Sequence, residues 1–412
     1  MRHNFQKGDI PCGWKYNLLD KFAIRCSGHT PSKSFSEYWD GDIKWVSLAD
    51  SYRLDKGYIF DTDHKISEEG IRKSSAQLHP KETVILSRDA GVGKSGVMFS
   101  SMAVSQHFIA WKCDNKEKMN SWFLYNWLQL NKLEFERQAV GSTIKTIGLP
   151  YFKRLMIAVP PYSEQKKIAQ ILSTWDKAIT TTEQLLANSQ QQKKALMQQL
   201  LTGKKRLLDE NGVRFSGKWE KMLLKEILHE EKSRNKNCTI ERVLSITNNR
   251  GFILPEDQFS KRVASSDVKN YKIVKKGQYG YNPSRINVGS FARLDNYPEG
   301  LLSPMYVAFS INEKTIYSNY FVNWMASDEA RQRIERSTQG SVRNSVGFDA
   351  LCSLPIKLPP MEEQKKIAAV LSAADKEISA LQQKLDRLKQ EKKALMQQLL
   401  TGKRRVKVEE AI

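Results

Sequence analysis

A stretch of about forty residues occurs twice in this chain, and no other feature limits its fold as tightly. Glu164-Gln-Lys-Lys-Ile-Ala169 returns unchanged as Glu363 to Ala368. Lys193-Lys-Ala-Leu-Met-Gln-Gln-Leu-Leu-Thr-Gly-Lys204 returns unchanged as Lys392 to Lys403. Both blocks share one offset, which also carries Pro160 onto Pro359, so the repeat is a single unit without insertion.

In the second copy Ile367, Leu371, Ala374, Ile378, Leu381, Leu385, Leu388, Lys392, Leu395 and Leu399 step alternately by four and three. That is a coiled-coil seam broken only by Lys392. The first copy keeps the frame with Ile168, Leu172, Trp175, Ile179, Leu186, Leu196 and Leu200, and places Thr182, Ser189 and Lys193 within it. Each copy starts after a Pro-Pro pair with acids in its first turn. Each ends at Thr-Gly followed by Lys and Arg, which suits the helix dipole and sets Gly203 and Gly402 just past a helix end. The pattern predicts two helices of about 37 residues, roughly 55 Å long at the usual rise. Two amphipathic helices on separate cores would need wider apolar stripes. A narrow seam under a charged majority face fits exposed rods that pair with each other. If a pseudo-two-fold axis relates the halves, the pair runs antiparallel.

A chain of 412 residues has room for two to three domains. Its formal charge of +21 points to a polyanionic partner, most simply nucleic acid. No 18-residue apolar run and no signal-peptide core are present, so no membrane is expected and the cytoplasm is the expected compartment. The 5 cysteines are scattered without a CxxC, which reads as reduced thiols without a zinc site or a disulfide frame.

Globular sequence fills the space around the repeats. The organisation reads as residues 1–158, a first globule; 159–206, a long helix; 207–357, a second globule; and 358–412, a second long helix. In the first globule Tyr38–Val46 and Thr83–Leu86 read as strands, and Asn120–Leu133 as one mostly buried helix, which gives an α+β class. The globules share sparse landmarks in the same order. Ser87-Arg88 before Val92-Gly93 matches Ser284-Arg285 before Val288-Gly289, and Gly141-Ser142 before Ile147-Gly148 matches Gly340-Ser341 before Val346-Gly347. Between landmarks the sequences differ. Rods that stayed alike and globules that diverged describe a reader of two unlike things.

Catalytic motifs fail on inspection. Gly91-Val-Gly-Lys-Ser95 lacks the earlier glycine of a phosphate-binding loop, because Arg88 stands there. Val159-Pro-Pro-Tyr162 resembles the Asn/Asp-Pro-Pro-Tyr/Phe loop of amino-methyltransferases, but Val159 cannot accept a hydrogen bond from an amino group. No methyl-donor fingerprint, metal-spaced histidine set or acid–base pair is apparent. What remains is basic and polar residues near glycines. Ser87, Arg88, Lys94 and Lys145 form one set; Ser284, Arg285, Arg293, Arg343 and Asn344 form the other. Arg and Asn read guanine and adenine in bidentate fashion, whereas Lys and Ser more often hold phosphates. Any single arginine also fits a solvated surface charge, and the Ser-Arg pairs also fit structural turns.

These residues carry a family resemblance. Pro-Pro-x-x-Glu-Gln-Lys-Lys-Ile-Ala opens each rod and Leu-Met-Gln-Gln-Leu-Leu-Thr-Gly-Lys closes it, in a globule–rod–globule–rod order. The chain thereby resembles the specificity subunit of type I restriction-modification enzymes. Pro11-x-Gly-Trp14-Lys15, Gly28-x-Thr30-Pro31 and Tyr38-Trp39-x-Gly41-Asp42-Ile43-x-Trp45-Val46 resemble the opening of that family's target recognition domain; the second globule keeps Trp219 but lacks a clear Gly-x-Thr-Pro. The resemblance implies two target recognition domains separated by two long helices that form an antiparallel coiled coil. Each domain would read one half of a split double-stranded DNA target in the major groove, and the helices would set the spacer. It also implies two modification methyltransferase subunits carrying S-adenosylmethionine, restriction motor-nuclease subunits using ATP and Mg, and no cofactor or catalysis on this chain. Two other classes stay open on the residues alone: a DNA methyltransferase or nuclease in its own right, and a coiled-coil RNA-associated structural protein.

Overall fold

The structure is a computed structural model, and it describes residues 10–113, 117–248, 250–257, 267–338 and 345–408. Arg343, Asn344 and the Gly340-Ser341 landmark lie outside the described residues. The chain divides into two compact units, Met1–Glu183 with Gln383–Ile412, and Gln184–Gln382. Each unit therefore holds one globule together with part of both long helices. No helix among the described residues is long and apolar enough to cross a membrane.

The strands of the first unit are β1 (Lys15–Leu18), β2 (Ile24–Ser27), β3 (Trp39–Val46), β4 (Tyr58–Ile59), β5 (His64–Ile66), β6 (Val84–Ser87), β7 (Ser95–Met98), β8 (Ala103–Val104), β9 (Phe108–Lys112) and β10 (Met156–Val159). Its main sheet runs β2-β9-β6-β7-β4, and a smaller one runs β5-β3-β8. Phe108 to Trp111 form a continuous apolar run because β9 is covered on both faces, and all four residues are buried. Helix α1 (Glu68–Arg72) is short, and α2 (Ser121–Leu130) packs into the core through Phe123, Leu124, Trp127 and Leu128. The segment expected as one helix to Leu133 is two. The Asn131 carboxamide donates back to Trp127 O at 2.8 Å and its backbone leaves the helical region, so α3 (Lys132–Gln138) starts afresh. Helix α4 (Leu149–Lys153) then leads into β10, which pairs antiparallel with β1. After β10, Pro160 and Pro161 precede the first long helix, α5 (Tyr162–Leu200), as the Pro-Pro reading anticipates.

The second unit has β11 (Glu220–Leu223), β12 (Leu228–Glu230), β13 (Ser245–Thr247), β14 (Gly251–Ile253), β15 (Lys272–Lys275), β16 (Tyr279–Tyr281), β17 (Phe291–Arg293), β18 (Glu299–Leu302), β19 (Val307–Ile311) and β20 (Pro355–Leu358). Its main sheet, β12-β19-β16-β17, follows the plan of β2-β9-β6-β7, and β11 pairs with β20 as β1 pairs with β10. Helices α6 (Ser318–Met325), α7 (Asp328–Thr338) and α8 (Phe348–Cys352) take the places of α2, α3 and α4 before the second long helix, α9 (Met361–Leu399). The units differ beside this shared frame. Where the first unit adds the β5-β3-β8 sheet, the second adds the hairpin β13–β14 and the pair β15–β18.

The mixed α+β globules and the antiparallel pairing of α5 with α9 agree with the expected fold class. Within the first unit Asp176 and Glu183 meet Lys392 and Lys389; within the second, Ser189 and Lys193 meet Glu377 and Asp375. Partner numbers fall as residue numbers rise, which defines the direction. All the seam residues named above are buried or half-buried. Lys392, which interrupts the apolar seam, and its repeat Lys193 each place Nζ 2.5 Å from an aspartate oxygen, on Asp176 and Asp375 respectively. A lysine at a seam position, held by an aspartate at the flank of the facing helix, is a register-setting device.

The unchanged opening block now has a physical reason. Gln165 donates to Pro160 O and Lys118 O, both at 3.0 Å, and accepts from Asn120 N at 2.8 Å. Gln364 repeats this with Pro359 O, Thr315 O and Tyr317 N. Glu164 and Glu363 do more than favour a helix dipole. Both are buried, and Arg405 grips Glu164 at 2.7 and 2.8 Å while Arg206 grips Glu363 at 2.5 and 2.6 Å. Each arginine follows the end of the other long helix. Gly203 (φ +73°) and Gly402 (φ +71°) make that exit possible in the left-handed region, and a side chain on Gly402 would collide with Pro11. The exposed residues Lys167, Lys177, Lys194 and Gln199 also repeat, as Lys366, Lys376, Lys393 and Gln398, although no packing demands it.

Candidate nucleic-acid interface

Both Ser-Arg landmarks lie at the same connection of the shared sheet. In the first unit residues 88–94 join β6 to β7; in the second, residues 282–290 join β16 to β17. Ile147 and Val346, near the end of the second landmark, dock beside the first in each case. Ile147 N donates to Arg88 O at 2.9 Å, and Val346 N donates to Pro283 O at 3.0 Å. Segments distant in sequence, at Ile147 and at Val346, are thus brought to one edge of each globule.

The side chains on those loops are unequal. Ser87 ends β6, is buried, and donates its hydroxyl to Asp89 O at 2.6 Å. Arg88 has a side chain only 19% exposed, with Nε 3.7 Å from Asp89 Oδ1; the other Asp89 oxygen lies 2.8 Å from His107 Nδ1. Lys94 donates to Ser51 Oγ at 2.9 Å, which ties the loop down. Gly91-Val-Gly-Lys-Ser95 accordingly turns one strand into the next and has no helix behind it, unlike a phosphate-binding loop. Lys145 is exposed at a cavity of about 500 Å³ where Gly91 and Val92 meet Ser142 and Thr143.

In the second unit Ser284 and Arg285 are exposed on the loop. Arg293 is fully engaged inside the fold, donating to Asp295 Oδ1 at 2.6 Å, Ser318 Oγ at 2.6 Å and Asn319 Oδ1 at 2.7 Å. The structure therefore gathers Arg88, Lys94 and Lys145 near one edge, and places Ser284 and Arg285 apart from the internal role of Arg293.

Two cavities beside these loops were not foreseen. In the first unit Lys33, Trp39, Trp45, His64, Gln106 and His107 line about 590 Å³. In the second, Thr247, Asn248, Arg250, Asn282, Arg285 and Ser290 line about 350 Å³. The legible signal for the latter was the polar run Asn248-Asn249-Arg250-Gly251 between two short apolar runs, a hairpin tip. Its lining is rich in donors and, among the described residues, contains no carboxylate. Such a lining suits phosphate oxygens and purine edges rather than metal cations.

Against known proteins, the family described as type I restriction modification DNA specificity domain matches residues 11–188 and again 217–390. The chain belongs to this family, whose members are DNA-recognition subunits of type I restriction-modification systems. It is 24% identical to the MjaVIII specificity subunit of Methanocaldococcus jannaschii, covering 97% of this chain and 94% of that one. It is 28% identical to the MjaX specificity subunit, described as putative, of the same organism, covering 98% and 97%. The match to the MjaIX specificity subunit, also 28% identical, spans 42% of this chain and 40% of that one. In fold it is similar to the S subunit of a type I system from M. genitalium, with a TM-score of 0.57 at 14% identity over 97% of this chain and 98% of that one. The HsdS subunit of Thermoanaerobacter tengcongensis gives 0.51 at 15% identity over 97% and 99%.

Proposed function

We propose that this chain is the non-catalytic reading subunit of a type I restriction-modification complex in the cytoplasm, and that it reads a split target in double-stranded DNA. Each globule inserts its loop edge into the major groove at one half-site. The antiparallel helices fix the spacer between halves. The observation that carries this reading is the contrast within the duplication: the rods repeat most of their seam, their clasps and a set of exposed lysines, while the equivalent loops carry different side chains. Rods under one constraint and loops under two describe a scaffold with two readouts.

The repeated exposed residues support a second element. The first unit exposes Lys167, Lys177, Lys393 and Gln398, and the second exposes the same set as Lys366, Lys376, Lys194 and Gln199, which suits two copies of one partner. We assign these surfaces to two modification methyltransferase subunits, which would carry S-adenosylmethionine and flip out the target adenine. Restriction motor-nuclease subunits would supply ATP- and Mg-dependent translocation and cleavage. Relatives named as type I restriction enzyme specificity subunits support this assignment.

Mapping methylated adenines in the host genome tests the reading. The expected pattern is one motif with two constant parts separated by a spacer of fixed length, lost when this chain is deleted. A continuous motif, or methyl transfer to DNA by the purified chain alone, would contradict it.

A further inference from the structure

The cavity of the second unit lies between two hairpin tips, and the state of its side chains separates supports from readers. One tip is the turn from β13 to β14; the other is the connection from β16 to β17. The tips touch at Gly289, which turns its connection at φ +95°: a Cβ built there would lie 3.8 Å from Asn248 Cβ, an ordinary contact distance. Arg250 is partly spent on the scaffold: its amide donates to Thr247 Oγ1 at 3.0 Å and its Nη2 to Asp257 O at 3.2 Å. Asn282 is partly spent too, because its Oδ1 accepts from Ser284 N at 3.0 Å. Asn248 and Arg285 differ. Both are exposed, and neither side chain has a hydrogen-bond or ion-pair partner among the described residues. A carboxamide with both ends free can hold adenine through N6 and N7, and a free guanidinium fork can hold guanine through O6 and N7. Paired strands ending in tips also have a width the major groove admits.

We propose that Asn248 and Arg285 are specificity-determining residues of the second half-site, Asn248 taking an adenine edge and Arg285 a guanine edge, while Arg250 and Asn282 hold the tips in place. This assignment rests on the DNA-reading role proposed above. It also removes Arg293 from the readers, since its donors already serve Asp295, Ser318 and Asn319.

The test is selection from a randomised duplex library by the full-length chain, with N248A and R285A beside the wild type, followed by sequencing and salt titration. The expected result is relaxation at one adenine position for N248A and one guanine position for R285A. Discrimination there should fall about 10- to 100-fold. The first half-site and spacer should stay unchanged in both variants, which also certifies their folding. An unaltered second half-site would overturn the assignment and leave the split-target reading standing. So would uniform weakening with a salt slope lower by about one, the mark of a phosphate contact. A wild type that selects no split sequence would remove the reading itself and this assignment with it.

Discussion

The two units share a four-stranded frame and a pair of arginine clasps, yet present different surfaces at the same edge. Beside its hairpin loop the first unit has a cavity walled by Trp39 and Trp45 with Gln106 and two histidines. The second has a smaller, donor-rich cleft between hairpin tips carrying Asn and Arg. Even the Ser-Arg landmarks diverge, with Ser87 buried at a strand end and Ser284 exposed on its loop. The lesson concerns where constraint falls. The blocks that open and close each long helix, with their clasps against the globule's own start, repeat letter for letter, and most seam positions between them repeat too, whereas residues facing outward from the loops do not.

The largest expected effect sharpens this comparison at the clasps. Replacing Arg206 with Ala strands Glu363, whose side chain is fully buried, and should destabilise the second unit by about 3–5 kcal/mol. Arg405 is 42% exposed, against 20% for Arg206, so the same change there should cost the first unit less, about 1–2 kcal/mol. Urea unfolding followed by unit-specific proteolysis measures both. Equal, small losses would show that the clasps do not close the units.

A smaller difference concerns acid. His79 in the first unit is buried with both ring nitrogens unpartnered among the described residues, and burial, aided by the Lys112 charge, holds its pKa down at about 4. The unfolded chain takes up this proton near pH 6.5, and the folded unit does so only near 4. Stability from His79 is therefore complete above pH 6.5 and is lost as pH falls toward 4, by about 2 kcal/mol at pH 5. The second unit has no buried histidine among its described residues, since His229 is exposed. Melting between pH 7.5 and 5 should show the first unit weakening more steeply, and H79L should flatten that slope. A parallel decline in both units would break the comparison.

Much of the frame was legible because heptad spacing and an exact repeat are local signals. Both helix ends, their glycines and the seam could be read from spacing alone. The partners of Lys193 and Lys392 could not, since Asp375 and Asp176 lie far away in sequence and meet them only once the helices pair antiparallel. Glu164 and Glu363 suited a helix dipole, and their burial under Arg405 and Arg206 depends on chain segments more than 150 residues distant. At the interface, composition pointed to arginines but could not separate Arg285, which is free among the described residues, from Arg293, which is engaged. That distinction is made by Ser318 and Asn319, contributed by α6.

The most direct measurement is methylation mapping after exchange of the first globule, residues 1–158, for that of a relative with the helices left intact. The account predicts that one constant half of the target changes while the other half and the spacer length persist. A target altered in both halves, or in neither, would contradict it.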